Sequence, residues 1–173
     1  ACASSPDRVA LDSTDEILAL SKTWIELMDQ AAKHNGSFWA RWQDGSITEH
    51  RLHSDFHKKE NQRLKGSCLD LESAYRQLAV REDHKKYAVV GAPKEGKTNY
   101  FVLNALPFGA SADVLHFNRA ARALNYFAHE EAGSSVTNFF DDFVCVAPAC
   151  ITEEMYERTK RLLLMMGWKL KAK

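Results

Sequence analysis

The sequence lacks any long apolar run, and it lacks an excess of either charge. No uninterrupted apolar stretch approaches the roughly 20 residues that a helix needs to cross a bilayer, so we expect no membrane partner. The 23 basic and 23 acidic side chains cancel, so no positive field of the whole molecule attracts nucleic acid. Any binding of nucleic acid would therefore depend on local basic patches.

Cysteine pairs with the spacing of metal or redox motifs are also missing. The four cysteines include no C-x-x-C pair; they are Cys2, Cys68, Cys145 and Cys150. The chain begins with no recognisable signal segment, so we expect free thiols in an intracellular compartment, cytoplasmic or nuclear, rather than a disulfide framework. With 173 residues, of which 45% are hydrophobic, the chain can bury one core of ordinary size.

Residues 1–65 predict one helix followed by an irregular segment. Ser13 and Glu16 have the spacing of a capping box, and apolar residues then recur at helical spacing as far as Gly36. The dipeptide Asp44-Gly45 predicts a hairpin turn between two short strands. The charged stretch that follows is typical of a solvated surface.

Residues 66–173 have a more regular pattern of strands and helices. Apolar runs predict strands at 67–71, 86–90 and 99–103, strands on both sides of the pair Asp141-Asp142, and a last strand from Trp168. Helical spacing predicts one helix from Val114 to near Gly133 and another over 152–166. The order β, hairpin, α, hairpin, α, β predicts an α+β fold of the ferredoxin-like (split βαβ) type, an antiparallel sheet with helices on one face.

Residues 91–98, GAPKEGKT, match the phosphate-binding pattern G-x-x-x-x-G-K-[ST]. A working phosphate loop needs a helix that begins at its Lys-Thr pair, because the helix N-terminus supplies amides and a positive dipole. Here Lys97 and Thr98 are followed by strand-forming residues, and Pro107 would interrupt a helix. We therefore favour a connection between two strands, and a nucleotide hydrolase built on Gly91–Thr98 remains the alternative.

Asp141 and Asp142 form a pair of adjacent carboxylates at the tip of an apolar hairpin. Two such charges at close range repel each other by about 4 kcal/mol at an effective dielectric constant of 20, so a bound cation is expected. Alternation along a strand predicts that they point to opposite sides, and that a third carboxylate shares the metal with one of them. Asp70, which ends the strand SCLD, is the candidate. The alternative is a polar hairpin turn without a ligand.

Several motifs, in this order, resemble the palm of the reverse transcriptases of retrotransposons, particularly divergent elements of protist genomes. The first three motifs of that family resemble DLESAYRQL (70–78), ALPFGASADVLHFNR (105–119) and NFFDDF (138–143), and LLLMMGWKL (162–170) is similar to the segment that follows them. The resemblance implies that residues 66–173 are a polymerase palm, truncated before the thumb, and that residues 1–65 are a partial fingers segment. It also implies other domains of a larger polyprotein.

The resemblance implies an RNA-directed DNA polymerase, a nucleotidyltransferase that extends a primer on an RNA or DNA template. The partners would be the template with its primer and a dNTP, and the cofactor would be two Mg²⁺ ions, or Mn²⁺ in their place. Asp70 and Asp141 would hold the ions, and Asp142 would support the metal site. A palm that has lost catalysis and only binds nucleic acid is a further alternative.

The resemblance also implies a set of nucleotide-binding residues. Leu71 would offer its backbone carbonyl to the nucleotide-bound metal. Tyr75 has the position of the aromatic residue that excludes a ribose 2′-hydroxyl in this family, so the product would be DNA. Phe108, Gly109 and Ala110 would form the turn beneath the incoming base.

Overall fold

The computed structural model describes residues 14–108 and 111–172, which form a mixed α/β structure of helices and antiparallel sheets. The helices and strands, in chain order, are α1 (Thr14–Lys33), β1 (Ser37–Arg41), β2 (Ile47–Arg51), β3 (Leu64–Asp70), β4 (Val89–Lys94), β5 (Lys97–Val102), α2 (Ser111–Glu130), β6 (Val136–Phe139), β7 (Asp142–Pro148) and α3 (Thr152–Met165). None of the described helices is both long enough and apolar enough to cross a membrane.

The central sheet contains three antiparallel strands in the order β3-β7-β6. Side chains of alternate residues on these strands point to the same face, and on one face they meet α2 and α3. This face forms the main core, whose largest fully buried members include Phe117 of α2, Phe143 of β7 and Leu163 of α3. Two helices therefore lie on one face of an antiparallel sheet, as the sequence predicts.

The opposite face of the sheet is covered by α1, which the sequence analysis had assigned to a separate segment. Thr137 alternates with the core residue Val136, and its hydroxyl donates to a carboxylate oxygen of Glu16 on α1 over 2.8 Å. The indole N–H of Trp24, two turns further along α1, donates to the backbone carbonyl of Val146. Glu16 thus makes a polar contact with the sheet, and its expected capping partner, Ser13, lies outside the described residues.

Two predicted strands differ from the structure. Where the sequence predicts a strand at 86–90, a 3-10 helix spans Glu82–Tyr87 and β4 begins only at Val89. Ion pairs of Arg81 with Asp83 and of Lys85 with Glu82 favour the local turns of this segment over an extended strand. The predicted boundary between residues 65 and 66 also falls inside β3, because β3 begins at Leu64.

The last predicted strand, from Trp168, is reduced to a single antiparallel bridge between Leu71 and Leu170. The pairing stops because Ser73, two residues beyond Leu71, has a φ of +51° and turns the chain away. The bridge nevertheless brings the residues after Leu170 beside the end of β3, since the amide of Lys171 donates to the carbonyl of Asp70.

Two hairpins lie outside the central sheet. The hairpin β1–β2 turns at Asp44-Gly45 as predicted, with φ of +85° at Gly45, and Asp44 accepts hydrogen bonds from the amide and hydroxyl of Ser46. The hairpin β4–β5 turns at Glu95-Gly96, where φ is positive at both residues, as two-residue hairpin turns favour. Both β4 and β5 are exposed along their whole length.

A buried hydroxyl cluster connects α3 to the segment before β6. Thr159 is fully buried, and its hydroxyl forms 2.9 Å hydrogen bonds with the Ser134 hydroxyl and the Met155 carbonyl.

We expect Thr159→Val to lower the free energy of unfolding by about 1–2 kcal/mol, because the buried Ser134 hydroxyl loses its hydrogen bond from Thr159. Urea denaturation measures the free energy of unfolding. Thr23→Val is the matched control, because the Thr23 hydroxyl also donates to the carbonyl four residues earlier, that of Ala19, but is exposed to solvent. Equal losses in both variants would contradict the expectation.

Candidate functional site

Asp70 and Asp142 lie directly opposite each other in the central sheet. Asp70 is the last residue of β3, Asp142 is the first residue of β7, and the antiparallel register pairs them. Directly opposed residues share a face of the sheet, with Cβ atoms about 4.5–5.5 Å apart. Asp70 is thus paired with Asp142, whereas the resemblance to reverse transcriptases implied that Asp70 and Asp141 would hold the ions and that Asp142 would support the site.

Asp141 lies in the two-residue turn that joins β6 to β7. The turn is shaped by Phe140, whose φ of +51° is unusual for an aromatic residue, and the buried Asn138 donates to the Phe140 carbonyl over 3.4 Å. The carbonyl of Asp141 accepts a 3.2 Å hydrogen bond from the amide of Leu71. This bond attaches the turn to the end of β3, so the three aspartates belong to two neighbouring chain segments.

Burial raises the pKa of the Asp141 carboxyl, and the negative charges of Asp142 and Asp70 raise it further. The Lys171 ammonium acts in the opposite direction on this pKa. The same ammonium lies 2.9 Å from a carboxylate oxygen of Asp70. The aspartates therefore repel one another, and a lysine supplies the positive charge beside them.

Lys171 is the residue of this site that the sequence analysis missed. The WKLK segment is recognisable as strand-forming, but the sequence does not specify which residue of it would stand beside Asp70. That choice depends on the Leu71–Leu170 bridge, and on the side chain of Gln77, which bonds both the amide and the carbonyl of Lys169.

A cleft of about 830 Å³ opens beside the turn that carries Asp141. Three of the residues singled out from the sequence line it, namely Tyr75, Phe108 and Asp141. Its other lining residues are Ser73, Ala74, Arg76, Val90, Leu103, Asn104, Ala105, Leu106 and Pro107. Leu71 is buried beneath the site with 1% of its surface exposed, and Gly109 and Ala110 lie outside the described residues.

Tyr75 belongs both to the core and to the wall of the cleft. Its ring stacks on Phe117 at a centroid distance of 4.6 Å and meets the edge of Phe108 at 5.3 Å. Burial raises the pKa of the Tyr75 hydroxyl, and the charge of Asp141 adds to the effect. Phe108, by contrast, is 87% exposed, so the cleft offers one fixed aromatic wall and one accessible ring.

The segment GAPKEGKT lies in the hairpin β4–β5 and not at the start of a helix. Lys97 and Thr98, which would open the helix of a phosphate loop, are the first residues of β5. Gly91 has a different role: a Cβ atom there would stand 3.0 Å from the Thr98 methyl and 3.5 Å from the ring of Tyr100. The glycine lets these two cross-strand side chains lie against the backbone of β4.

No family model matches the chain, and no curated protein matches it in a sequence search. Within residues 14–108 and 111–172, no group of three or more His, Cys, Asp and Glu side chains has an arrangement that could hold a metal ion. The cysteines in these ranges, Cys68, Cys145 and Cys150, form no disulfide bond with one another.

Proposed function

We propose that the chain is the palm of a reverse transcriptase and carries out template-directed DNA synthesis. The supporting observation is that Asp141, Tyr75 and Phe108 line one cleft, while Asp70 and Asp142 are paired in register beside the same turn. These residues come from three separate parts of the sequence. The β3-β7-β6 sheet with α2 and α3 on one face is compatible with a ferredoxin-like palm, and α1 would be its fingers-side neighbour.

The aspartate cluster fits a divalent cation by its donor chemistry. Carboxylate oxygens are the ligands that Mg²⁺ and Mn²⁺ prefer. The ammonium of Lys171 at Asp70 is a positive charge that already offsets the mutual repulsion of the three carboxylates. As the side chains stand, the three carboxylates are not arranged to hold a metal ion, so Asp70, Asp141 and Asp142 would have to turn toward a common point to hold two ions. The ions would then supply Lewis-acid stabilisation of the triphosphate and activate the primer hydroxyl.

The remaining residues of the cleft would position the nucleotide. The exposed ring of Phe108 offers a surface for a base, since base–aromatic stacking contributes about 1–3 kcal/mol per base. Tyr75 is 7% exposed and stacks on the fully buried Phe117, so core packing would keep its ring beside a sugar placed next to Asp141. The amide of Leu71 fixes the backbone of Asp141. The cleft would thus present a fixed aromatic wall next to the acidic turn.

Primer extension tests the proposal directly. A labelled primer annealed to an RNA or a DNA template should be extended by the chain with dNTPs and Mg²⁺, and chelation of the metal should stop the reaction. A palm that only binds nucleic acid would bind the primer–template without extending it. A P-loop hydrolase would release phosphate from ATP in a manner that depends on Lys97, but the strand at Lys97–Thr98 disfavours this alternative.

Lys171 provides a more specific prediction. Since its ammonium occupies an oxygen of Asp70, a metal ion must displace it, and we expect Lys171→Gln to lower the Mg²⁺ concentration for half-maximal extension by up to about fivefold. A second, smaller pocket on the α3 side of the sheet is lined by Asp70, Lys171 and Lys160 among others. Lys160→Gln is the matched control, because Lys160 lines this pocket too but pairs with Glu157. An unchanged or higher Mg²⁺ requirement in Lys171→Gln would contradict the competition between lysine and metal.

A further inference from the structure

One side of the hairpin β4–β5 continues the wall of the cleft. Val90 lines the cleft, and Phe101 is its directly opposed partner on β5. Every second residue along each strand lies on the same side as these two, so Lys94 and Lys97 share it as well. We call this side of the hairpin, which carries Val90, Lys94, Lys97 and Phe101, the track. At about 3.4 Å per residue, the track is about 13 Å long from Val90 to Lys94.

The tip of this track carries two lysines directly opposite each other. Lys94 and Lys97 are paired across the two-residue turn, and like charges in such positions destabilise a hairpin. Both side chains are exposed, and neither forms an ion pair within the described part of the chain, although Glu95 lies between them. An anion bound between the two ammonium groups would relieve their repulsion.

The cleft end of the track is aromatic. Phe101 is 53% exposed and lies opposite the cleft-lining Val90, and the pair Ala92 and Asn99 separates it from the two lysines at the tip. The other side of the hairpin carries Tyr100, whose ring packs over Gly91 and which has no lysine near it on its own side. Only the cleft side therefore combines an accessible aromatic ring with unpaired positive charge.

We infer that the cleft side of β4–β5 binds a single strand of nucleic acid, with Phe101 stacking on a base and Lys94 and Lys97 contacting phosphates. We infer a nucleic-acid strand because its negative phosphates complement the two lysines, and because this surface is continuous with the cleft. The inference rests on the proposed function, because the same strand would pass from this hairpin to the acidic turn. It assigns the lysine of the GAPKEGKT motif to a polynucleotide backbone and not to a nucleoside triphosphate.

Fluorescence anisotropy with a labelled single-stranded oligonucleotide of mixed sequence, as RNA and as DNA, tests the inference on the 173-residue chain. Each phosphate contact on a single strand contributes about 0.7 to the slope of log affinity against log salt, so Lys94→Ala/Lys97→Ala should reduce that slope by about 1.4. Phe101→Leu keeps the apolar bulk but removes the stacking ring, and it should weaken binding by at least about fivefold.

Matched controls separate these effects from general losses of charge or stability. Lys22→Ala/Lys33→Ala removes two exposed lysines from α1, and Tyr100→Leu removes the aromatic ring from the other side of the hairpin. Both controls should bind the oligonucleotide like the unmodified chain. The inference is overturned if the controls lose as much affinity as the test variants, or if the test variants bind normally. A test variant that changes only self-association, measured by sedimentation, would instead assign the surface to a second copy of the chain and also overturn it.

The outcome for the hairpin can be distinguished from that for the polymerase site. Oligonucleotide binding and metal-dependent primer extension are measured separately on the unmodified chain and on each hairpin variant. Hairpin-dependent binding by a chain that never extends a primer would uphold the strand-binding surface and reject the polymerase. Primer extension by a chain whose oligonucleotide binding is unaffected by the hairpin variants would uphold the polymerase and reject the strand-binding surface.

Discussion

Asp141→Asn is expected to reduce metal-dependent primer extension by at least about a thousandfold. Asparagine keeps the shape of the side chain but removes the charge that a metal ligand must supply, and stabilisation of several kcal/mol is lost with it. Asp141 is the one aspartate of the cluster that lines the cleft, so no neighbouring carboxylate can replace it there. The measurement is the single-turnover rate of dNTP addition at saturating Mg²⁺.

The control for this variant is Asp113→Asn. Asp113 lies in the first turn of α2, and burial raises its pKa as burial raises that of Asp141, but it lines neither described pocket. We expect Asp113→Asn to retain extension within about threefold, because it removes a charge that, like that of Asp141, raises the pKa of the Tyr75 hydroxyl, but that does not line the cleft. Retention of activity by Asp141→Asn, or an equal loss in both variants, would reject the metal-site assignment.

Tyr75→Val should increase the incorporation of ribonucleotides relative to deoxynucleotides by at least about tenfold. The ring of Tyr75 is packed on the fully buried Phe117, so a 2′-hydroxyl placed against it would clash with a side chain that the core holds in position. A clash of this kind contributes a few kcal/mol to selectivity. The measurement is a direct competition between the two nucleotide types on one template.

Loss of core packing must be separated from loss of selectivity in this experiment. Tyr75 is 7% exposed and stacks on Phe117, so Tyr75→Val also costs about 2–4 kcal/mol of folding free energy. Tyr75→Phe keeps the ring and should keep the selectivity. If Tyr75→Val slows both nucleotides and leaves their ratio unchanged, Tyr75 is a core residue alone and the exclusion of ribonucleotides has another origin.

Features with a local signal were predictable from the sequence. The turn at Asp44-Gly45, the turn at Asp141 and the helix before Gly133 follow from turn chemistry and helical periodicity, which depend only on neighbouring residues. The start of the strand predicted at 86–90 was wrong: a 3-10 helix with local ion pairs extends to Tyr87, and the apolar run was too short to indicate where the strand begins.

Features that depend on register could not be predicted. The pairing of Asp70 with Asp142, and the placement of Lys171 beside Asp70, both require knowing how strands far apart in the sequence align. A shift by one residue would direct a different side chain to the site in each case. The cleft itself is formed by residues from three separate segments, so only its individual members could be proposed from motifs.

The separation of β4–β5 from the central sheet has a consequence for the motions of the chain. The hydrogen bond from the Leu103 amide to the Ala88 carbonyl closes the base of the hairpin, and the chain beyond it is joined to its surroundings by the Ala79–Ala105 bridge. Neither strand packs extensively on another described element. Its amide protons should therefore exchange with solvent through local openings, while those of β7 require opening of the sheet. Core substitutions such as Thr159→Val would accelerate exchange in β7 and leave the hairpin unaffected. A strand bound along the hairpin would slow hairpin exchange alone, making exchange at these amides a reporter of occupancy.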